Sequence, residues 1–162
     1  MRVGTGVDAH RFGPGRPLVL GTVTIDHPQG LEGHSDGDVV AHALCDAVLA
    51  AGGGPDIGVL FPSGAPEWRG VTGERMLREV REVVAAAGFR LVNAHAVVVC
   101  QRPRLAPHRE AMQRAMSAVL GGPVTVHATT TDGMGFTGRG EGIACQAVAL
   151  MAGGAGAGGG DA

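Results

Sequence analysis

The chain has 162 residues, enough for one compact domain that buries about two-thirds of its unfolded surface. Its 13 basic residues, all Arg, and 15 acidic residues leave a formal charge of −2, and the basic positions are scattered, which excludes the basic footprint of a nucleic-acid binder. No apolar run nears the roughly 20 residues of a membrane helix, and the chain opens on a strand-like M-R-V-G-T-G-V with no signal-peptide pattern. A cytoplasmic protein with neither a membrane nor a nucleic-acid partner is expected.

Residues 1–9 read as a strand, and R-F-G-P-G-R-P, residues 11–17, as a loop. Residues 17–26, P-L-V-L-G-T-V-T-I-D, read as a small hairpin pivoting near Gly21 and Thr22. A helix is expected from Ser35 as N-cap, with Asp38 three residues on, through Val39, Val40, Ala43, Leu44, Ala47 and Val48 to Gly52-Gly53-Gly54. Residues 53–71 form a long Gly- and Pro-rich irregular segment, a type that is often functional. The clearest helical period, Met76, Leu77, Val80, Val83, Val84 and Ala87, marks a helix over 72–87 closed by Gly88. A strand over 91–100, a helix over 107–120 and strands over 124–130 and 142–151 follow. The pattern predicts an α+β fold with α/β-type layers: one catalytic domain, residues 1–151, with a mixed four-stranded sheet packed on helices plus the hairpin. Residues 152–162 are nearly all Gly and Ala, cannot build a core, and are expected to be a disordered tail.

Chemistry concentrates at two places. Asp8 and His10 are two apart on a strand, so both side chains leave the same face. With His42 they offer one carboxylate and two imidazoles, a set that suits zinc and leaves a fourth position for substrate. One histidine among seven is unremarkable, but His34, Ser35, Asp36, Asp38 and His42 fall within nine residues at a predicted helix start, where free N–H groups favour a phosphate. The preferred reading of Asp36 and Asp38 is helix capping rather than ligation. Asp46, one helical turn past His42, either orients that imidazole or faces solvent. Farther on, Thr129-Thr130-Thr131-Asp132 puts hydroxyls and amides at a strand end, where they suit phosphate oxygens, and Asp132 offers a hard oxygen for Mg²⁺. The plainer alternative there is a Thr-rich strand end with an Asp turn. Arg102 and Arg104 read as surface charges unless an anion lies nearby.

Other signals are discounted. Gly4 to Ala9 and Gly133 to Gly138 both fit G-x-G-x-x-G/A, yet neither opens a helix within a βαβ unit, so no dinucleotide fold is expected. Cys45, Cys100 and Cys145 are far apart and odd in number, which suits small buried hydrophobes rather than disulfides or thiolate zinc. Tyr is absent and aromatics are 3% of the chain, too few for a base-stacking surface.

Taken together, G-V-D-A-H-R-F, G-H-S-D-G-D-V-V-A-H-A-L-C-D-A, D-I-G-V-L-F-P and A-T-T-T-D-G-M-G-F-T-G-R-G-E-G-I-A resemble the 2-C-methyl-D-erythritol 2,4-cyclodiphosphate synthase family from Met1 to about Leu150. The resemblance implies a phosphorus–oxygen lyase of non-mevalonate isoprenoid precursor synthesis that converts 4-diphosphocytidyl-2-C-methyl-D-erythritol 2-phosphate to the cyclodiphosphate and releases CMP. It implies a homotrimer with sites between subunits, zinc on Asp8, His10 and His42, and Mg²⁺ or Mn²⁺ bridging the diphosphate, with Asp132 as a candidate ligand. By the same resemblance His34 and Thr130 position phosphates and stabilise the transition state. Substrate contacts fall on Asp8, His10, His34, Ser35, Asp56, Gly58, Phe61, Ser63 and Ala65. The cytidine nucleotide falls on Cys100, Gln101, Arg102, Pro103, Arg104, Leu105 and Ala106, with Ala128, Thr129, Thr130 and Thr131. Phe136 and Arg139 fall near the threefold axis, where family members can enclose a cavity for an isoprenoid diphosphate.

Three positions depart from the family pattern: Asp132 stands where Glu is common, Ser63-Gly64-Ala65 replaces an acidic stretch, and Arg102 stands where a small residue is usual. Two rivals are weighed, the first at the same site and the second in the central cavity. A metal-dependent phosphohydrolase would let water attack, and a trimeric binder of isoprenoid diphosphates would need no zinc.

Overall fold

A computed structural model of the chain describes residues 1–153. The strands are β1 (Arg2–Gly13), β2 (Leu18–Leu20), β3 (Val23–Ile25), β4 (Gly30–Leu31), β5 (Phe89–Val99), β6 (Val124–Thr129) and β7 (Gly142–Gly153). The helices are α1 (Val39–Gly52), α2 (Ile57–Leu60), α3 (Gly73–Ala86), α4 (Arg109–Leu120) and the single turn α5 (Gly135–Gly138), with a 3₁₀ turn at Pro66–Trp68. The main sheet has five strands in the order β4-β1-β7-β5-β6, and β2-β3 forms a separate hairpin. The expected α+β class holds. The expected four strands become five because β4, two residues long, is too short to show any period in the sequence.

Several boundaries move. β1 runs to Gly13 rather than stopping at residue 9, because Phe12 and Gly13 pair with Leu31 and Gly30. β7 includes Ala152 and Gly153, assigned above to the tail; the rest of that segment lies outside the described residues. The cap of α1 is Asp38, not Ser35. Its carboxylate accepts from the Val40 and Ala41 N–H groups and also from Gly21 and Thr22, so one fully buried side chain caps the helix and holds the hairpin turn. Asp36 accepts from the Gly73 N–H at the start of α3, so both aspartates are structural, as preferred above.

α1 lies between the sheet and α3 and is buried on nearly every side. It lies flush against the first half of β1 because that half has only glycine at the contact. A Cβ on Gly4 would sit 2.2 Å from the Ala47 carbonyl oxygen, and one on Gly6 would sit 2.1 Å from that of Ala43. Asp8 and His10 continue the same strand face, and His42 precedes Ala43 on the helix, so these glycines also set the distance between the strand and helix halves of the predicted triad. Gly6→Ala is therefore expected to destabilise the fold by about 2–3 kcal/mol through overpacking against immovable backbone, measured by denaturant unfolding.

β1 and β5 are each antiparallel to β7, and β6 is parallel to β5, so β1, β5 and β6 run the same way and end at the same edge of the molecule. The helices cover one face of the sheet, over Ala94, Ala96, Val98, Val126, Cys145, Ala147 and Ala149. The other face carries Val3, Val7 and Val148, which are 65%, 67% and 39% exposed. All three cysteines are free and buried, as expected.

Candidate metal and substrate site

Strand alternation brings Asp8 and His10 to the face of β1 that meets α1, and α1 presents His42 to them. Asp8 Oδ2 lies 2.9 Å from His10 Nε2 and 2.9 Å from His42 Nδ1, and the two nitrogens are 3.1 Å apart. Four-coordinate zinc with bonds of about 2.05 Å separates its ligand atoms by roughly 3.3 Å, so this triangle is close to one face of such a tetrahedron. Among the described residues this is the one cluster of its kind.

The outer nitrogens have partners that suit the tautomers a metal needs. His10 Nδ1 donates to the Glu32 carbonyl at 2.5 Å, which leaves Nε2 as the nitrogen able to offer a metal its lone pair. His42 Nε2 bonds Ser35 Oγ at 3.0 Å, and Ser35 Oγ also accepts from the Gly37 N–H. With a metal bound, Nε2–H donating to Ser35 would likewise turn the Nδ1 lone pair to the centre; in metal-free protein the inner nitrogens instead donate to Asp8 Oδ2. Both imidazoles thus fit a metal. Burial alone pushes the Asp8 carboxyl up, but hydrogen bonds and charge from His10 and His42 together outweigh it and hold Asp8 well below the usual carboxylate range. Burial pushes His10 down, and the bond to Asp8 with its charge more than reverses this, so His10 is raised above 6.5.

Asp46 does not orient His42, nor is it free in solvent. It is half-buried and accepts from the Ile57 N–H at 2.9 Å, tying α1 to α2; Ser35 takes the orienting place instead.

The triad floors a cleft of about 280 Å³ that His34 and Ser35 border, with Gly58, Phe61 and Ser63 opposite. Trp68, Val71 and Met76 close its apolar end, and Trp68 meets Phe61 edge-on at 4.9 Å. Sequence reasoning missed these three; the one tryptophan in a Gly/Pro-rich loop was the signal available. Asp56 stands just outside the cleft as the cap of α2, accepting from the Val59 N–H. Ala65 precedes the 3₁₀ turn and does not line the cleft either.

The predicted nucleotide residues lie elsewhere. Asp8 pairs with Cys145, Cys145 with Val98, and Val98 with Ala128. Three strand spacings put Asp8 and Ala128 about 14 Å apart across the sheet. The segment 100–106 leaves the end of β5, with Cys100 and Leu105 buried and Arg102 and Arg104 exposed. Residues 130–132 leave the end of β6, where Thr130 Oγ1 donates to Asp132 at 3.0 Å and Asp132 takes φ +52°. Phe136 is 43% exposed on α5, which Gly135 opens after all, though for a single turn. Arg139 is exposed and pairs with Glu141 at 2.6 Å. The two groups of predicted residues therefore lie apart, one near each edge of the sheet.

The model of the YgbB family matches residues 1–152. A 2-C-methyl-D-erythritol 2,4-cyclodiphosphate synthase of Moorella thermoacetica is 52% identical over 154 residues, covering 93% of this chain and 94% of that one. Among solved structures, a 2C-methyl-D-erythritol-2,4-cyclodiphosphate synthase with bound CDP aligns with a TM-score of 0.85 at 40% identity, over 93% of this chain and 100% of that one. The bifunctional IspDF of Campylobacter jejuni aligns with a TM-score of 0.89 at 38% identity, over 93% of this chain and 42% of that longer chain.

Proposed function

The chain belongs to the YgbB family, a family of cyclodiphosphate-forming lyases, and we propose that its two half-sites, one from each of two neighbouring subunits, together carry out that reaction. The reaction converts 4-diphosphocytidyl-2-C-methyl-D-erythritol 2-phosphate to 2-C-methyl-D-erythritol 2,4-cyclodiphosphate and releases CMP. A 2-phosphate oxygen bonds to the β-phosphorus, the bond from that phosphorus to the bridging oxygen breaks, and the oxygen leaves with CMP.

The convergence of Asp8, His10 and His42 carries this reading. The substrate brings its own nucleophile, so the protein needs no activated Ser or Cys. What it must do is fold a polyanion on itself, and orientation of that kind contributes about 7–11 kcal/mol. Zinc held by the triad and Mg²⁺ or Mn²⁺ held with help from Asp132 would supply the positive charge that offsets phosphate repulsion. His34 and Ser35, at the cleft rim, take the phosphates; Gly58, Phe61 and Ser63 take the methylerythritol, with Asp56 and Ala65 beside them. Residues 100–106 and 128–131 hold the cytidine end, with Thr130 against the diphosphate.

The 14 Å gap supports a head-to-tail assembly. A surface near one edge of the sheet that meets a surface near the other edge of the next copy is heterologous, and such contacts form a ring when the rotation between copies closes. A trimer is the ring proposed, with the open apolar sheet face turned inward. Phe136 and Arg139 would then approach the axis, where an isoprenoid diphosphate is the proposed occupant. The water-soluble nucleotide substrate suits a cytoplasmic enzyme.

The test is ³¹P NMR of the protein with this substrate, Zn²⁺ and Mg²⁺. CMP together with a cyclic diphosphate, both abolished by chelator, is the expected result. CMP with a linear product would instead establish a hydrolase, and bound zinc without turnover would favour the axial binder. Metal binding should also depend on pH. Protonated imidazole cannot ligate, so affinity is full above the raised His10 pKa and is lost as pH falls through it. The apparent dissociation constant for zinc is expected to rise from a pH above 6.5 downward, about tenfold per unit for each proton displaced, as read by competition with a chromophoric chelator.

A further inference from the structure

The turn Gly33–Ser35, which brings His34 and Ser35 to the cleft, belongs to no helix or strand. Its shape comes from what holds its three carbonyl groups. Gly33 O accepts from Nη1 of Arg16 at 2.9 Å, and Ser35 O accepts from Nη2 of the same guanidinium at 2.5 Å. His34 O accepts from the Gly70 N–H at 2.8 Å. The N–H groups of Gly33, His34 and Ser35 have no protein acceptor among the described residues. Every carbonyl of the turn is thus occupied, while its three successive amide donors have no protein acceptor and His34 and Ser35 border the cleft, so donors and not acceptors are left for a ligand there.

Arg16 reaches the turn by a cleared path. A Cβ on Gly30 would sit 2.6 Å from the Arg16 carbonyl oxygen and 2.8 Å from its Cγ, so the bare backbone of β4 lets the arginine pass. Pro17 follows directly, and the half-buried Arg16 side chain spans 17 to 19 residues of sequence to its two acceptors. A planar fork matches two carbonyls two residues apart, whereas an ammonium holds only one of them well.

We propose that Arg16 is a positioning residue for the cyclisation: by gripping the Gly33 and Ser35 carbonyls it shapes the 33–35 turn as a phosphate receptor and keeps carbonyl dipoles off the substrate's anionic end. It acts through the turn and touches no substrate itself. This rests on the cyclase reading above for its substrate, but the receptor geometry can be tested apart from turnover.

The experiment compares wild type, Arg16→Lys and Arg16→Ala, each supplied with Zn²⁺ and Mg²⁺. It reads kcat and KM by CMP release, zinc stoichiometry, and the affinities for CDP and for inorganic pyrophosphate. The loss of at least one charge-assisted bond predicts kcat/KM lower by about 10- to 100-fold in Arg16→Lys, and by more in Arg16→Ala, which loses both, mostly through KM. Pyrophosphate should bind correspondingly more weakly, zinc content should be unchanged, and methylguanidinium should partly restore Arg16→Ala. Full activity in Arg16→Lys would overturn the proposal, since charge alone would then suffice. So would unchanged pyrophosphate affinity, or a loss matched by lost zinc, which would make Arg16 a fold-holding residue. If wild type releases no CMP, the cyclase reading fails, while the pyrophosphate comparison still decides the clamp.

Discussion

Asp8→Ala is expected to abolish zinc retention and to lower CMP release by about 10³-fold or more, a loss at least as large as removing a principal transition-state donor. Its Oδ2 is the one oxygen that faces both imidazoles, at 2.9 Å each, and it supplies the only negative charge of the triad. Without it two neutral rings remain, with inward nitrogens 3.1 Å apart and nothing to hold a third corner of the coordination triangle. Metal analysis after dialysis and single-turnover CMP release would read the two losses together. A variant that keeps its zinc and loses activity would instead move Asp8 from metal ligand to substrate contact.

The same substitution has a stability signature of definite sign. Folding lowers the Asp8 pKa below its ordinary 3.8, so in metal-free protein the carboxylate contributes stability that is present above that value. The contribution fades as pH falls through the lower folded pKa. Metal-free Asp8→Ala should therefore melt below wild type at neutral pH, and the gap should close in strong acid. A gap that widened on acidification would mean that the histidines do not favour the charged form of Asp8.

Much of the site was legible because it rests on local rules. A two-residue offset on a strand puts Asp8 beside His10 with no tertiary information, and the Met76-to-Val84 period marks α3 just as plainly. The α1 cap was harder, because S-D-G-D offers three capping side chains within four residues. Which one caps depends on Gly37, whose φ of +77° turns the chain so that Asp38 is buried under the hairpin. Asp46 shows the opposite limit. Helical spacing puts it near His42, but the Ile57 amide arrives from a Gly/Pro-rich segment with no period and takes its carboxylate. The separation of the triad from residues 128–132 is invisible in the sequence for a deeper reason: it follows from strand order, and β7, the last described strand, inserts between β1 and β5.

That insertion gives the second large effect. Asp132→Asn should leave the fold intact, since the residue is exposed and Asn also tolerates a positive φ, while removing the proposed charge toward the second ion. Alone, it is expected to lose most activity, as Asp8→Ala does. If each site takes its triad from one subunit and its nucleotide half from the next, refolding the two variants together at equal ratio should revive activity. An Asp132→Asn subunit keeps a sound triad and an Asp8→Ala subunit keeps a sound nucleotide half, so each faulty half can meet a sound partner. With random assortment the chance that both halves of a given site are sound is one half times one half, so about a quarter of wild-type activity should return. Sites contained within single chains would return none, because every chain in the mixture carries one defect. The fraction recovered thus reports the assembly directly: about a quarter for sites shared around a ring, nothing for sites closed within a protomer.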